Sequence, residues 1–209
     1  VFVRLGIWDE LAELMGVDNI YYDLIDRPEF LHKIMEKMTR SALAGIRQVN
    51  ELGLVDTSAN LCHCSVIYTD ELLPDFGAGK AANTKNAWNF GLAQLFTAVS
   101  PDVTEEFEVP YISQLSQQYG MFYYGCDRLD DRLDIVQKIP NVRKISCSPW
   151  SHREEFAEGL RKDIVMSNKP TPAFLAGDTM DMEVIAQDLR RTCATAKKNN
   201  IALEMILKD

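Results

Sequence analysis

The sequence is short of several features that would place it in a class of proteins at once. It has only three histidines and five cysteines, and an odd number of cysteines argues against a secreted, disulfide-stabilised fold. No apolar run approaches the about 20 residues that span a bilayer, and no signal peptide opens the chain. Lysine and arginine number 22 against 31 acidic residues, which disfavours nucleic-acid binding. We therefore expect a soluble cytoplasmic protein with no membrane or nucleic-acid partner.

The sequence also lacks the glycine-rich motifs of nucleotide-binding sheets. Neither Gly-x-Gly-x-x-Gly nor a P-loop follows any predicted strand, which disfavours an open, doubly wound nucleotide-binding fold. What the chain has is length, 209 residues, with 46% of them hydrophobic. A chain of this size buries a large core as a single domain.

The first 53 residues predict a helical lead-in. Residues 26–52 have apolar side chains at helical spacing, with Gly53 as a stop signal. Asp26 and Glu29 suggest a capping box at the start of this helix. A shorter helix is predicted over residues 8–15.

From residue 54 the pattern alternates between strands and helices. The segment 74–91 contains Pro74 and three glycines and predicts a long loop. Ser151 and Glu154 suggest a second capping box. Predicted strands cover residues 54–56, 93–99, 121–124, 142–146, 164–167 and 201–207; predicted helices cover residues 100–119 with an interruption at Pro110, 129–138, 151–160 and 181–199.

Such alternation predicts parallel strands that neighbour one another in chain order. Six strands, against about eight in a closed barrel, predict a partial (β/α)8 TIM-type barrel that corresponds to its C-terminal portion. The last predicted strand has no helix after it and the first residue is Val1, so we expect a fragment of a longer chain. Unpaired edges of a partial barrel favour association, so we expect a homodimer or an edge covered by the helices of residues 1–50. The alternative is a complete, open doubly wound sheet.

In a β/α barrel the active site lies at the C-terminal ends of the strands. The residues that follow the predicted strands are therefore the candidates for chemistry: Cys62, His63, Cys64, Ser100, Gly125, Cys126, Asp127, Cys147, Ser148, Pro149, Trp150, Asn168, Lys169, Lys208 and Asp209.

Thiols and one histidine among these candidates suggest a metal. In an extended segment, Cys62 and Cys64 would point to the same side, and zinc accepts cysteine and histidine ligands. The alternative is that these are small buried thiols. Cys193 follows Ile185 and Leu189 at four-residue steps and is predicted to pack in the core.

Five segments resemble the uroporphyrinogen decarboxylase superfamily, and more narrowly its decarboxylase-like proteins grouped with corrinoid-dependent methyltransferases. They are residues 124–134 (YGCDRLDDRLD), 138–150 (KIPNVRKISCSPW), 23–30 (DLIDRPEF), 167–173 (SNKPTPA) and 203–209 (LEMILKD). The resemblance implies a barrel whose cleft holds a tetrapyrrole or a methyl acceptor together with a corrinoid partner protein. Methyltransferases of this superfamily carry a His-x-Cys zinc pair after a central strand, whereas residues 124–126 read Tyr-Gly-Cys here.

The leading hypothesis is a methyltransferase that acts with a corrinoid or thiol acceptor, with zinc as a possible cofactor. Uroporphyrinogen III decarboxylation and a non-catalytic binding barrel are the alternatives. The predicted catalytic residues are Cys126, Asp127, Lys169 and Lys208; the predicted substrate-binding residues are Tyr124, Trp150 and Asn168; the predicted zinc ligands are Cys126, Cys62, His63 and Cys64.

Overall fold

The structure is a computed structural model that describes residues 3, 5–57, 61–62, 64–67, 69–72, 82–125 and 127–207. Its helices are α1 (Ile7–Met15), α2 (Val17–Asp26), α3 (Pro28–Glu51), α4 (Pro101–Phe107), α5 (Val109–Ser116), α6 (Leu133–Val136), α7 (Arg153–Gly159) and α8 (Met182–Lys198). Its strands are β1 (Leu61–Cys62), β2 (Ser65–Val66), β3 (Trp88–Gly91), β4 (Met121–Tyr124), β5 (Val142–Cys147), β6 (Val165–Asn168) and β7 (Leu203–Met205).

The helical lead-in is confirmed, but its predicted capping box is wrong. Asp26 is the last residue of α2, and Arg27 precedes α3 without any side-chain cap. The Arg27 guanidinium instead donates to the Asp23 carboxylate, with Nε 2.8 Å from Oδ1. The sequence pattern predicts the start of one helix here, whereas α2 ends at Asp26 and α3 begins at Pro28. Proline suits the first helical position because it has no amide hydrogen that needs a partner.

Strands β3 to β7 form one parallel sheet whose order follows the chain, as predicted. The first predicted strand is wrong: residues 54–57 are irregular, and β1 pairs with β2 in a short antiparallel hairpin. The predicted strand at 93–99 is also wrong, since β3 lies earlier and residues 94–98 form a 3-10 helix.

Gly91 explains the misplaced strand. As a glycine it predicts a loop, yet it is the last residue of β3. Helix α5 packs so closely against the strand at this point that a side chain would not fit. A Cβ atom at Gly91 would lie 2.6 Å from Ile112 Cδ1. Of the predicted loop at 74–91, residues 74–81 lie outside the described residues.

The later β/α units follow the prediction in number and order. The helix after β3 is divided into α4 and α5 next to Pro110, and Asp181 caps α8 by accepting from the amides of Glu183 and Val184. The capping box at Ser151 is wrong, because Ser151 Oγ lies 3.1 Å from Ser148 Oγ and α7 begins only at Arg153. Its expected partner, Glu154, accepts from Arg191 at 2.7 Å instead.

The two faces of the sheet are buried differently. Each of the helices α1 to α8 contributes to one apolar core that also contains Phe122, Ile145 and Met166 from the strands. The opposite face carries a much smaller apolar cluster of Ile67, Trp88 and Met121. Burial of a large apolar side chain contributes about 1.5–3 kcal/mol, so the helix-covered face provides most of the stabilisation.

Helix α8 packs through a different stripe from the one predicted. Cys193 is exposed, and the buried positions are Thr192, Thr195 and Ala196. The prediction followed the bulkier apolar residues Ile185 and Leu189, whereas the small residues form the face in contact.

None of the described helices is both long and apolar enough to cross a membrane.

Candidate functional site

A row of polar side chains lies on the face of the sheet opposite to the helix-lined core. Side chains alternate between faces along a strand, so residues that alternate with Phe122, Ile145 and Met166 point away from the core. Ser146 is paired in register with Ser167, and Ser167 with Glu204. We call this set the polar face. It consists of Tyr123 in β4, Lys144 and Ser146 in β5, Ser167 in β6, Lys169 directly after β6, and Glu204 in β7.

The polar face is buried although it is polar. Tyr123, Ser146 and Ser167 have no exposed surface, and Lys144 and Lys169 are 6% and 5% exposed. Buried charges are tolerated only where they are paired and hydrogen-bonded. Burial of this row therefore costs free energy of folding that an apolar sheet face would not cost.

The Glu204 carboxylate is the centre of a hydrogen-bond network. Lys144 Nζ lies 2.8 Å from Oε2, and Ser65 Oγ donates to Oε1 at 2.7 Å. Ser167 Oγ also donates to Oε1, and the Val66 amide lies 3.3 Å from Oε2. Burial alone would raise the pKa of Glu204, but the hydrogen bonds from Lys144, Ser167 and Ser65 outweigh it and lower the pKa. Glu204 is therefore ionised at neutral pH.

Lys169 directly follows β6, at the carboxyl end of the sheet. Its Nζ donates to Ser167 Oγ and lies 5.5 Å from the centre of the Tyr123 ring. Its backbone amide donates to Cys147 O at 2.9 Å, which fixes the position of the residue beside β5. A chain of hydrogen bonds thus runs from Lys169 through Ser167 to the Glu204 carboxylate.

Two buried polar atoms on this side of the sheet have no hydrogen-bond partner among the described residues. They are Ser146 Oγ and Trp88 Nε1. A buried polar atom without a partner costs about 1–3 kcal/mol, so a ligand or water with matching atoms would bind here favourably. Cys64 reaches the same face, with its Sγ 3.2 Å from the Tyr123 hydroxyl.

Three strand-end residues face the helices instead. The Tyr124 hydroxyl donates to Glu108 Oε1 at 3.2 Å in the helix layer, so Tyr123 and Tyr124 point in opposite directions. Asn168 follows Ser167 in β6, so its side chain lies on the opposite face from Ser167; it is buried, and its Nδ2 has no hydrogen-bond partner among the described residues. Burial raises the pKa of Cys147 to about 12, so its thiol stays protonated at neutral pH and is a poor nucleophile.

The remaining predicted site residues lie at the periphery or outside the described residues. Trp150 is 71% exposed, and Asp127 Oδ1 accepts from the Arg128 amide at 2.8 Å. Cys126, Lys208 and His63 lie outside the described residues, as does the side chain of Cys62. Across the described ranges, no three His, Cys, Asp or Glu side chains lie close enough together to hold a metal ion.

The position of Lys169 after a predicted strand indicates a site residue, whereas Lys144, Ser146, Ser167 and Glu204 are not among the strand-end candidates. The signal was present, because each alternates along its strand with an apolar residue of the core. The strand-end pattern covers only residues that follow the strands, whereas these four lie within them.

Comparisons with protein-family models, with curated proteins and with solved structures found no match.

Proposed function

We propose that this chain is part of an enzyme that binds a small anionic substrate on the polar face, and that β3 to β7 form part of a (β/α)8 barrel. The observation that carries the proposal is the buried polar row that runs across four successive parallel strands. A doubly wound sheet needs a reversal of strand order and helices on both faces. The described strands have no such reversal, and the described helices share one core.

Lys169 is the group we assign to the substrate. Its ammonium lies at the carboxyl end of the sheet, where ligands bind in β/α enzymes. Ser167 fixes the position of Nζ, and Ser146 Oγ lies on the neighbouring strand of the same face. Together they would bind a carboxylate or another anionic group and orient it above Tyr123.

The reaction we propose is methyl transfer to a corrinoid or thiol acceptor, which is what the resemblance to the decarboxylase-like methyltransferases implies. The charges of the polar face support it over the second candidate, tetrapyrrole decarboxylation. Among the described residues of this face the cations are Lys144 and Lys169, and Glu204 neutralises Lys144. A tetrapyrrole with many carboxylates requires more positive charge than this.

Zinc, which the resemblance implies, stays a prediction. Among the described residues, Cys64 is the thiol on the polar face, and a single thiol does not make a zinc site. We therefore assign no step to a metal. Elemental analysis of the full-length protein and of a Cys126→Ser variant tests the prediction: zinc lost on substitution supports Cys126 as a ligand, and no zinc in either protein refutes it.

Calorimetric titration of the full-length protein with a methyl-corrinoid, and separately with uroporphyrinogen, tests the proposed reaction. Saturable binding of the methyl-corrinoid with methyl loss to an added thiol supports methyl transfer. Binding and decarboxylation of uroporphyrinogen would favour the second candidate. Binding of neither would contradict both and leave a non-catalytic barrel as the account of the fold.

A further inference from the structure

A second buried carboxyl group lies on the other side of the sheet, in the helix layer. Glu108 forms the joint between α4 and α5 and is 1% exposed. The joint is fixed by the backbone: the Glu108 amide donates to Thr104 O at 3.0 Å, and the Glu108 carbonyl accepts from Ile112 at the same distance. The side chain therefore has little freedom to turn towards solvent.

The carboxyl group of Glu108 is poorly provided with donors. The Tyr124 hydroxyl donates to Oε1, while Oε2 has no hydrogen-bond partner among the described residues. An ionised carboxylate with one hydrogen bond is unfavourable in such a place, whereas a neutral carboxylic acid is tolerated. Burial, the largest cause, raises the pKa of Glu108, the Tyr124 hydrogen bond lowers it and the Asp9 charge raises it, so that this pKa lies at about 8.

The charged groups around Glu108 do not compensate for ionisation. Asp9 approaches from α1 with the same charge, and its Oδ1 accepts from the Gln94 amide at 3.0 Å. Arg132 acts on Tyr124, but its guanidinium is already bonded to Asp131, Thr104 and the carbonyls of Phe96 and Val99. From α3, His32 stacks on Phe107 and lies 2.7 Å from the Tyr111 hydroxyl and 3.7 Å from Glu106.

Helix α1 is attached to the joint through its own side chains. Trp8 Nε1 donates to Phe107 O at 2.9 Å, and its ring packs on Phe96 at a centroid distance of 4.9 Å. Asp9 follows Trp8 directly, so the negative charge and the anchoring ring move together.

We propose that Glu108 is a proton-dependent switch: its neutral form keeps α1 packed against the α4–α5 joint, and its ionised form repels Asp9 and loosens α1. The switch lies next to Tyr124, the last residue of β4, so it connects the helix layer to the strand end that precedes Asp127. This inference does not depend on the proposed function.

The test is the pH dependence of stability and of hydrogen exchange in a Glu108→Gln variant, which keeps the shape and cannot ionise. A group with a raised folded-state pKa stabilises the fold below its unfolded value and loses that contribution as the pH rises to the folded value. The folding equilibrium constant of the wild type should fall by up to about tenfold per pH unit between about pH 5 and 8 through this group. The variant should lack this component.

Amide protection factors, which remove the intrinsic pH dependence of exchange, report on α1. Protection over residues 7–15 should fall between pH 6 and 9 in the wild type and in a Glu105→Gln control, an exposed position of the same helix. Protection in Glu108→Gln should stay constant. Equal pH profiles in wild type and Glu108→Gln would overturn the proposal.

Two further variants keep the test decisive if Glu108→Gln does not fold. Tyr124→Phe removes the hydrogen bond to the carboxylate and should move the loosening of α1 to higher pH. Asp9→Asn removes the like charge that raises the pKa of Glu108, so any remaining transition should move to lower pH. The loosening of α1 should also be weaker, since ionised Glu108 is then no longer repelled. A pH profile of α1 protection identical to that of the wild type in both variants would refute the role of Glu108.

Discussion

At the scale of single residues, two neighbouring tyrosines show how one strand serves two environments. Tyr123 lies on the polar face beside Lys169, and Tyr124 contacts Glu108 among the helices. That they diverge could be predicted from the alternation of a strand. Which of them faces the polar row could not, because that depends on the burial of Phe122 and on strands far away in sequence.

Lys144 and Glu204 provide the sharpest test of the polar face as a network. Their side chains are 8% and 13% exposed, and the ammonium lies 2.8 Å from the carboxylate. Loss of one partner from a buried ion pair costs about 3–5 kcal/mol, because the other charge stays buried. Urea unfolding of Lys144→Met, Glu204→Gln and the double variant should therefore give a double-variant cost well below the sum of the single costs. Additive costs would contradict the pairing.

The same pair predicts a pH dependence with a definite sign. The pKa of Glu204 is lowered in the folded protein from its ordinary value of 4.5. Its contribution to stability is present above that value and is lost as the pH falls through the lower, folded pKa. Acid unfolding of the wild type should thus be steeper below about pH 4.5 than that of Glu204→Gln.

At the scale of elements, long periodic helices and the strand order could be predicted, and the segment between α3 and α4 could not. Helix α3 and the run of strands β4 to β7 follow from periodicity within each segment. In contrast, β3 ends in a glycine that indicates a loop, and its conformation is set by contact with Ile112 in α5. Contacts of this kind leave no local pattern in the sequence.

Two glycines should respond oppositely to alanine. A Cβ atom at Gly120 would lie 2.2 Å from the Lys85 carbonyl oxygen, so backbone must move, at a cost of about 1–3 kcal/mol. Gly45 lies within α3 with nothing within 4 Å of such a Cβ, so alanine should stabilise by about 0.5–1 kcal/mol. If the urea midpoints of Gly120→Ala and Gly45→Ala moved in the same direction, the close contact between Gly120 and the Lys85 backbone would be contradicted.

At the scale of the whole molecule, the sheet has two ends with different surroundings. Near β3, the Asn89 side chain donates to Val3 O at 3.0 Å, and α1 packs on the 3-10 helix that follows the strand. At the other end, β6 is the pairing partner of β7 among the described strands. A parallel edge that stays unpaired favours association.

We accordingly expect a homodimer in solution. Light scattering on the eluting peak of the purified chain should give twice the mass of 23.7 kDa. A monomer across a hundredfold range of concentration would contradict the expectation.

Substrate binding by Lys169 on the polar face is tested most directly by the affinity of a Lys169→Met variant in the titration that identifies the ligand. Loss of a hydrogen bond to a charged group costs about 1.5–3 kcal/mol, so we predict an affinity about ten- to hundredfold weaker. Lys138→Met, which removes an exposed ion pair with Glu105, serves as the control and should bind like the wild type. A folded Lys169→Met variant with wild-type affinity would contradict the account.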